Sequence, residues 1–132
     1  FEAEDINGKA VSYESLKGKL VYVDVWATWC KPCLQELPAM KALQEEYKGK
    51  DITFVSLSVD KDKEAWKAMG AQEKMQGVQL HIDLSAHRDF IENYDLTGIP
   101  RFFLISKEGK IISISAPRPS EAKIKELINA NL

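Results

Sequence analysis

One run limits the fold more than any other: Leu20-Val21-Tyr22-Val23-Asp24-Val25-Trp26 is apolar on both of its alternating faces except at Asp24. Successive side chains of a strand point to opposite sides of a sheet, so a strand with two apolar faces must be covered on both. This segment is therefore read as the central strand of a layered structure. The rest of the chain supplies the layers. Lys31 to Lys48 carries Leu34, Leu37, Met40, Leu43 and Tyr47 at spacings of three and four, with Pro32 in its first turn and Gly49 past its end, which predicts a helix kinked at Pro38. Ile52 to Val59 reads as a second strand, followed by a helical pattern over about 62–75, a short strand over 79–82 and a short helix over 88–94. Phe102 to Ile105 and Lys110 to Ser115 flank the turn signal Lys107-Glu108-Gly109, and Ser120 is expected to cap a final helix bearing Ile124, Leu127 and Ile128. Near the start, Asn7-Gly8 signals a two-residue turn in a small hairpin. Alternating β and α elements that end in a hairpin and a helix imply an α/β chain with a mixed sheet and helices on both faces.

Composition sets the outer bounds. The 132 residues are 45% hydrophobic and 29% charged, enough apolar side chain for one core, so the chain is read as a single domain over 1–132. Its 18 Lys plus Arg nearly balance 20 Asp plus Glu, and no basic run exceeds isolated pairs, which argues against a nucleic-acid footprint or a polybasic membrane patch. No stretch approaches the roughly 18 to 20 apolar residues that cross a bilayer. The chain opens at Phe1, without Met or a charged-then-apolar targeting segment, and is expected to be a processed product or a domain of a longer protein.

The chemistry concentrates in Cys30-Lys31-Pro32-Cys33, which holds both cysteines of the chain. The string stands where the central strand gives way to a helix, so Cys30 falls at or beside the helix N-terminus. There a thiolate meets unpaired backbone N–H groups and the positive end of the helix dipole, with Lys31 adjacent. Thiols in such settings have pKa values of about 3.5 to 7.5, which makes Cys30 a nucleophile at neutral pH. Cys33, one turn further on, can attack the captured sulfur and expel what Cys30 has bound. Three other readings compete. A purely structural disulfide would gain only about 2 kcal/mol from closing so short a loop. A zinc site could recruit His81 and His87, but the gap from Cys33 to His81 is several times the usual spacing. Two inert buried thiols would not need a Trp-Cys-x-Pro-Cys string at a strand-to-helix junction.

The run Val25-Trp26-Ala27-Thr28-Trp29-Cys30-Lys31-Pro32-Cys33, with Asp24 before it and Gly98-Ile99-Pro100 downstream, resembles the thioredoxin superfamily. Asn7-Gly8-Lys9, Gly18-Lys19 ahead of the strand, and an extra β-α segment between the two halves are similar to the exported branch related to the TlpA and ResA proteins. The resemblance covers essentially the whole chain. It implies a thioredoxin fold, a central mixed β-sheet flanked by helices with an N-terminal hairpin and an inserted β-α segment. The implied activity is thiol-disulfide exchange with protein substrates, in the reducing direction. By position, Cys30 resembles the exposed attacking cysteine and Cys33 its buried resolving partner. Pro100 matches the family's cis-proline, which packs beside the pair and leaves the backbone of Ile99 free for a substrate chain. Trp29 resembles the indole over the site, with a plain hydrophobic cap as its other reading. Lys31 and Pro32 complete the substrate-facing surface and modulate the potential of the pair.

Asp24 stands out because a carboxylate in an apolar strand is desolvated, which raises its pKa. Its place six residues before Cys30 matches the buried acid of thioredoxins that exchanges a proton with the resolving cysteine. The alternative is an acid that reaches solvent or a backbone donor. Where many thioredoxins place a Lys near this acid, the second strand offers Ser56, which leaves the proton route open. Some exported relatives use a Glu in the inserted segment; Asp60 lies nearby and is not assigned that part. His81 and His87 are read as strand-end and loop residues, Trp66, Met69 and Met75 as packing, and Asp60 to Glu64 as a solvated loop and helix start.

The resemblance implies no metal or organic cofactor. Its partners would be disulfide- or dithiol-containing proteins and an upstream electron donor, with the chain a monomer, a membrane tether lying outside this segment, and a periplasmic or otherwise extracytoplasmic location. Two rivals remain. A thiol peroxidase shares the fold and the extra hairpin, but its pattern places a Thr three residues and a Pro seven residues before the reactive cysteine, where this chain has Ala27 and Val23. The other is a binding module or tethered redox domain of a larger exported protein.

Overall fold

The structure is a computed structural model and describes residues 1–132. Strands β1 (Glu2–Glu4), β2 (Ala10–Ser12), β3 (Leu20–Trp26), β4 (Ile52–Ser58), β5 (Val78–His81), β6 (Arg101–Ile105) and β7 (Ile111–Ser113) form one sheet in the order β2-β1-β5-β4-β3-β6-β7. The helices are α1 (Lys31–Gln35), α2 (Leu37–Glu46), α3 (Lys63–Gln72), α4 (Arg88–Asn93) and α5 (Lys123–Asn131). The sheet is mixed: β3, β4 and β5 run parallel, while β6 and β7 are antiparallel additions on one side and the β1–β2 hairpin on the other. Between β4 and β6 the chain makes α3, β5 and α4, so the inserted segment widens the sheet beyond β4.

Every residue of β3 is buried, as its two apolar faces require. Val21, Val23 and Val25 join Val55, Leu57, Leu80 and Phe103 on one face, closed by Tyr13 and by Phe90 of α4. Leu20 and Tyr22 join Phe54, Phe102 and Leu104 on the other, under Met40 and Leu43 of α2 and Ile124 and Ile128 of α5. By alternation Asp24 and Trp26 continue this second face toward the C-terminal end of β3, where open α/β sheets place their sites.

Four local expectations are corrected. The helix predicted over 31–48 is interrupted at Glu36, because Pro38 has no N–H to offer the Leu34 carbonyl; Pro38 sits instead in the first turn of α2. Ser120 does not cap α5, whose N-cap is Ala122 without a side-chain bond; the Ser120 hydroxyl and N–H both donate to the Glu36 carboxylate. The first hairpin turns through the loop Asp5–Lys9, not two residues, since the Asp5 side chain accepts the N–H groups of Asn7 and Lys9 and so closes a wider turn. The stretch from Asp60 is not wholly solvated: Asp62 caps α3 as a helix start should, but Asp60 is buried.

Gly77, at the entry to β5, has φ +83°, and a Cβ there would meet the Phe54 carbonyl oxygen at 2.8 Å. Gly77→Ala should therefore cost at least the about 1–3 kcal/mol of a strained left-handed residue. Gly70→Ala, in open space within α3, should be neutral or stabilising by up to about 1 kcal/mol. Denaturant unfolding of the two variants checks the contrast.

Candidate active site

The ladder between β3 and β4 reaches its end where the Val59 N–H donates to the Trp26 carbonyl at 2.9 Å. The chain then turns, with the Cys30 N–H on the Ala27 carbonyl at 3.1 Å, and α1 begins with Cys30 as its N-cap. Cys30 and Cys33 are joined as a disulfide with their Cα atoms 5.2 Å apart. The Cys33 N–H points at the Cys30 sulfur, 3.3 Å away. Both residues are 5% exposed, so accessibility does not separate an exposed attacker from a buried partner as the resemblance implied. What separates them is position. Cys30 lies outside the first turn and receives an N–H; Cys33 lies within it. Because α1 ends at Gln35, this local donor acts on the Cys30 sulfur more directly than the dipole of a long helix would.

Around the pair, Trp26, Ala27 and Trp66 form a buried cluster, against which Leu34, Met69, Met75 and Ile99 pack. Trp66, Met69 and Met75 are thus packing residues, and what they pack is the wall of the disulfide. Below Cys33 is a cavity of about 10 Å³, lined by Asp24, Cys33, Glu36, Met40, Pro100 and Phe102 among others. That volume is at the lower limit for a single water. The Ile99–Pro100 bond is cis. Asp24 is 6% exposed; one carboxylate oxygen accepts from the Ser56 hydroxyl at 3.0 Å, and the other, Oδ1, is buried without a partner. Burial pushes its pKa from 3.8 up to about 7, against a smaller lowering by the Ser56 bond. Asp24 is therefore the buried acid the sequence pointed to, and it does not escape to solvent.

Glu36 is the member of this group that the sequence reading passed over. Its position three residues after Cys33 is a legible signal, since side chains three apart share a helix face. Its importance could not be read, because the helix break at Glu36 and the reach of Ser120 from the far end of the chain fix where that carboxylate lies.

Beside the pair runs a groove of about 730 Å³ whose walls include Trp29, Ile91, Leu96, Thr97, Gly98 and Ile99. Trp29 is 70% exposed and Lys31 and Pro32 are exposed on the first turn of α1. Arg101 holds the far wall: its guanidinium donates to the carbonyls of Tyr94, Asp95 and Ile114 and to the Thr97 hydroxyl. The eight residues singled out from the sequence divide accordingly. Asp24, Cys33 and Pro100 meet at the small cavity, Trp29 and Ile99 line the groove, and Cys30, Lys31 and Pro32 form the turn between. His81 and His87 line a different groove that the cysteines do not reach, so no two-Cys, two-His set assembles. His81 is buried, with its ring against Trp66 at a centroid distance of 5.4 Å.

This geometry agrees with the comparisons to known proteins. Residues 1–128 match the Redoxin family model. The chain is 33% identical over 129 residues to the thiol-disulfide oxidoreductase ResA of Bacillus subtilis (strain 168), covering 98% of this chain and 70% of that protein. A crystal structure of a Bacteroides vulgatus protein assigned to the thiol-disulfide oxidoreductases superposes with a TM-score of 0.91 at 40% identity, covering 100% of this chain and 92% of that one. A thiol:disulfide interchange protein from a Bacteroides species follows at a TM-score of 0.84 and 28% identity, over 97% of this chain and 85% of the other. With a strand-end Cys-Lys-Pro-Cys pair closed as a disulfide on a thioredoxin fold, the chain belongs to the Redoxin family, among its ResA-like thiol-disulfide oxidoreductases.

Proposed function

We propose that the chain reduces disulfides of partner proteins, with Cys30 as the attacking thiolate, Cys33 as the resolving thiol and Asp24 as the group that takes the Cys33 proton. The observation that carries this reading is the asymmetry of the pair: the Cys33 N–H is aimed at the Cys30 sulfur, while Cys33 shares a cavity with the buried Asp24. In the reduced protein that N–H would stabilise a thiolate on Cys30. The Cys30 thiolate attacks one sulfur of the substrate disulfide, forms a mixed disulfide and releases the other substrate sulfur as a thiolate. Cys33 then passes its proton to the Asp24 carboxylate, directly or through the single water the cavity has room for, and attacks the Cys30 sulfur. The second substrate thiolate leaves, the Cys30–Cys33 disulfide forms, and two electrons have moved to the substrate. An upstream dithiol donor must return them. Trp29, Lys31, Pro32 and Ile99 face the incoming chain, and Pro100 closes the cavity beside Cys33.

The relatives support a reading of partners and location. The ResA and interchange proteins are named for exchange chemistry, which supports protein thiols and disulfides as the substrates here. No helix is long and apolar enough to cross a membrane. We assign the domain an extracytoplasmic, periplasmic setting as a monomer over 1–132, served by an upstream electron donor, with any membrane tether lying outside these residues. Measuring the potential of the Cys30/Cys33 pair against glutathione tests the reducing direction.

Cys33→Ser should trap mixed disulfides through Cys30, seen as adducts on non-reducing gels, whereas Cys30→Ser should trap none. In the reduced protein Cys30 should be alkylated first and at lower pH; equal titration of both sulfurs near 8.5 would invert or abolish the assigned roles.

Asp24 gives a pH signature with a definite sign. In the folded chain it holds its proton to about pH 7 and in the unfolded chain to about 3.8, so folding takes up a proton between these values. The contribution of Asp24 to stability must fall as pH rises from about 4 to about 7 and level off above. Asp24→Asn should abolish that fall, becoming more stable relative to the wild type as pH rises through the window. It should also slow resolution near neutral pH by about tenfold or more, leaving the first attack by Cys30 little changed. Urea unfolding and single-turnover disulfide reduction across pH 4–8 measure both; superimposable curves would remove Asp24 from the proton route.

A further inference from the structure

Asp60 is buried to 3% exposure, yet it bonds to neither cysteine and the exchange chemistry does not use it. Its carboxylate takes the Thr28 N–H on both oxygens at 3.0 and 3.1 Å, the Thr28 hydroxyl at 2.7 Å and the Ser58 hydroxyl at 2.6 Å. The post itself is fixed from two sides. The Asp60 N–H donates to the Ser58 hydroxyl oxygen at 3.0 Å, and the buried His81 ring donates through Nε2 to the Asp60 carbonyl.

The backbone explains why this contact exists. A parallel ladder between β3 and β4 continued past Trp26 would next call on the Thr28 N–H. That donor is instead met by the Asp60 side chain, so the carboxylate supplies one further rung exactly where the chain must leave the sheet to reach Cys30. Thr28 and Asp60 also line the groove that Trp29 borders. We propose that Asp60 is a positioning residue for disulfide exchange: through Thr28 it fixes the Thr28-Trp29 turn, and with it the angle at which Trp29 and Cys30 meet an incoming protein disulfide. This rests on the reading of Cys30 as the attacking thiolate.

The consequence is selective. A loosened turn misplaces Trp29 for docking a protein chain but leaves the Cys30 sulfur open to a small disulfide. The test is single-turnover reaction of the pre-reduced protein with insulin and with 5,5′-dithiobis(2-nitrobenzoate), at matched folded fraction by circular dichroism. Asp60→Ala should lower the insulin rate constant by about tenfold, the scale of losing bonds to a charged acceptor, with a much smaller change for the small disulfide. Asp60→Asn, which retains an acceptor for the Thr28 N–H, should recover most of the ratio. Thr28→Val, which loses only the hydroxyl bond, should fall between. Equal loss with both disulfides, or a wild-type ratio in folded Asp60→Ala, would overturn the proposal. If Asp60→Ala does not fold, a wild-type ratio in Thr28→Val overturns it and an intermediate ratio supports it. A wild-type protein that reduces neither disulfide would overturn the exchange reading, and this inference with it.

Discussion

The burial of β3 on both faces is the constraint from which the site follows. Seven consecutive buried residues need α4 and the hairpin segment against one side and α2 and α5 against the other. Once those layers are in place, the C-terminal end of β3 is where this strand emerges from between them, and the cysteines stand at that exit. The same burial acts on Asp24, whose neighbours in the strand leave its Oδ1 without a donor and hold its pKa near 7. A carboxyl group that changes charge near neutral pH is suited to proton transfer and unfavourable for folding when ionised. The core that stabilises the sheet thus sets the electrostatics of the site.

Two carboxylates close to the pair are treated in opposite ways by their surroundings. Asp24 has a single hydroxyl donor at 3.0 Å, while Asp60 has hydroxyls and a backbone N–H on both oxygens. A carboxylate whose acceptors are satisfied is held in place by its donors, whereas one left short of donors carries a desolvation cost. Glu36 is intermediate, held by Ser120 at the cavity's edge. Packing in the cluster that holds the disulfide comes from residues that look ordinary in sequence, Trp66, Met69 and Met75, while the groove beside the pair is bordered by Trp29 and Ile99.

Much of this was legible before any coordinates. The two-faced apolar run identifies the central strand, the three-and-four spacing from Leu34 to Tyr47 identifies the helix that follows it, and the cysteine spacing together with Gly98-Ile99-Pro100 identifies the chemistry. Errors arose where a side chain had a remote partner. Ser120 has the composition of a helix cap, but Glu36 lies within its reach across the fold, and that charge-assisted bond displaces the cap. Asp60 sits in a run of charges that reads as solvated, because nothing local announces that Thr28 will come to it from 32 residues away.

The sequence by itself determined the order of elements, the layered α/β architecture and the identity of the reacting pair, since these depend on periodicity and on neighbours along the chain. The tertiary structure decided which acids matter and how. Whether a carboxylate near the cysteines ends as a desolvated acid short of donors, an anchored post or a partner of Ser120 depends on which donors packing brings within about 3 Å. Those donors come from strands and loops distant in sequence, and no local pattern encodes their arrival.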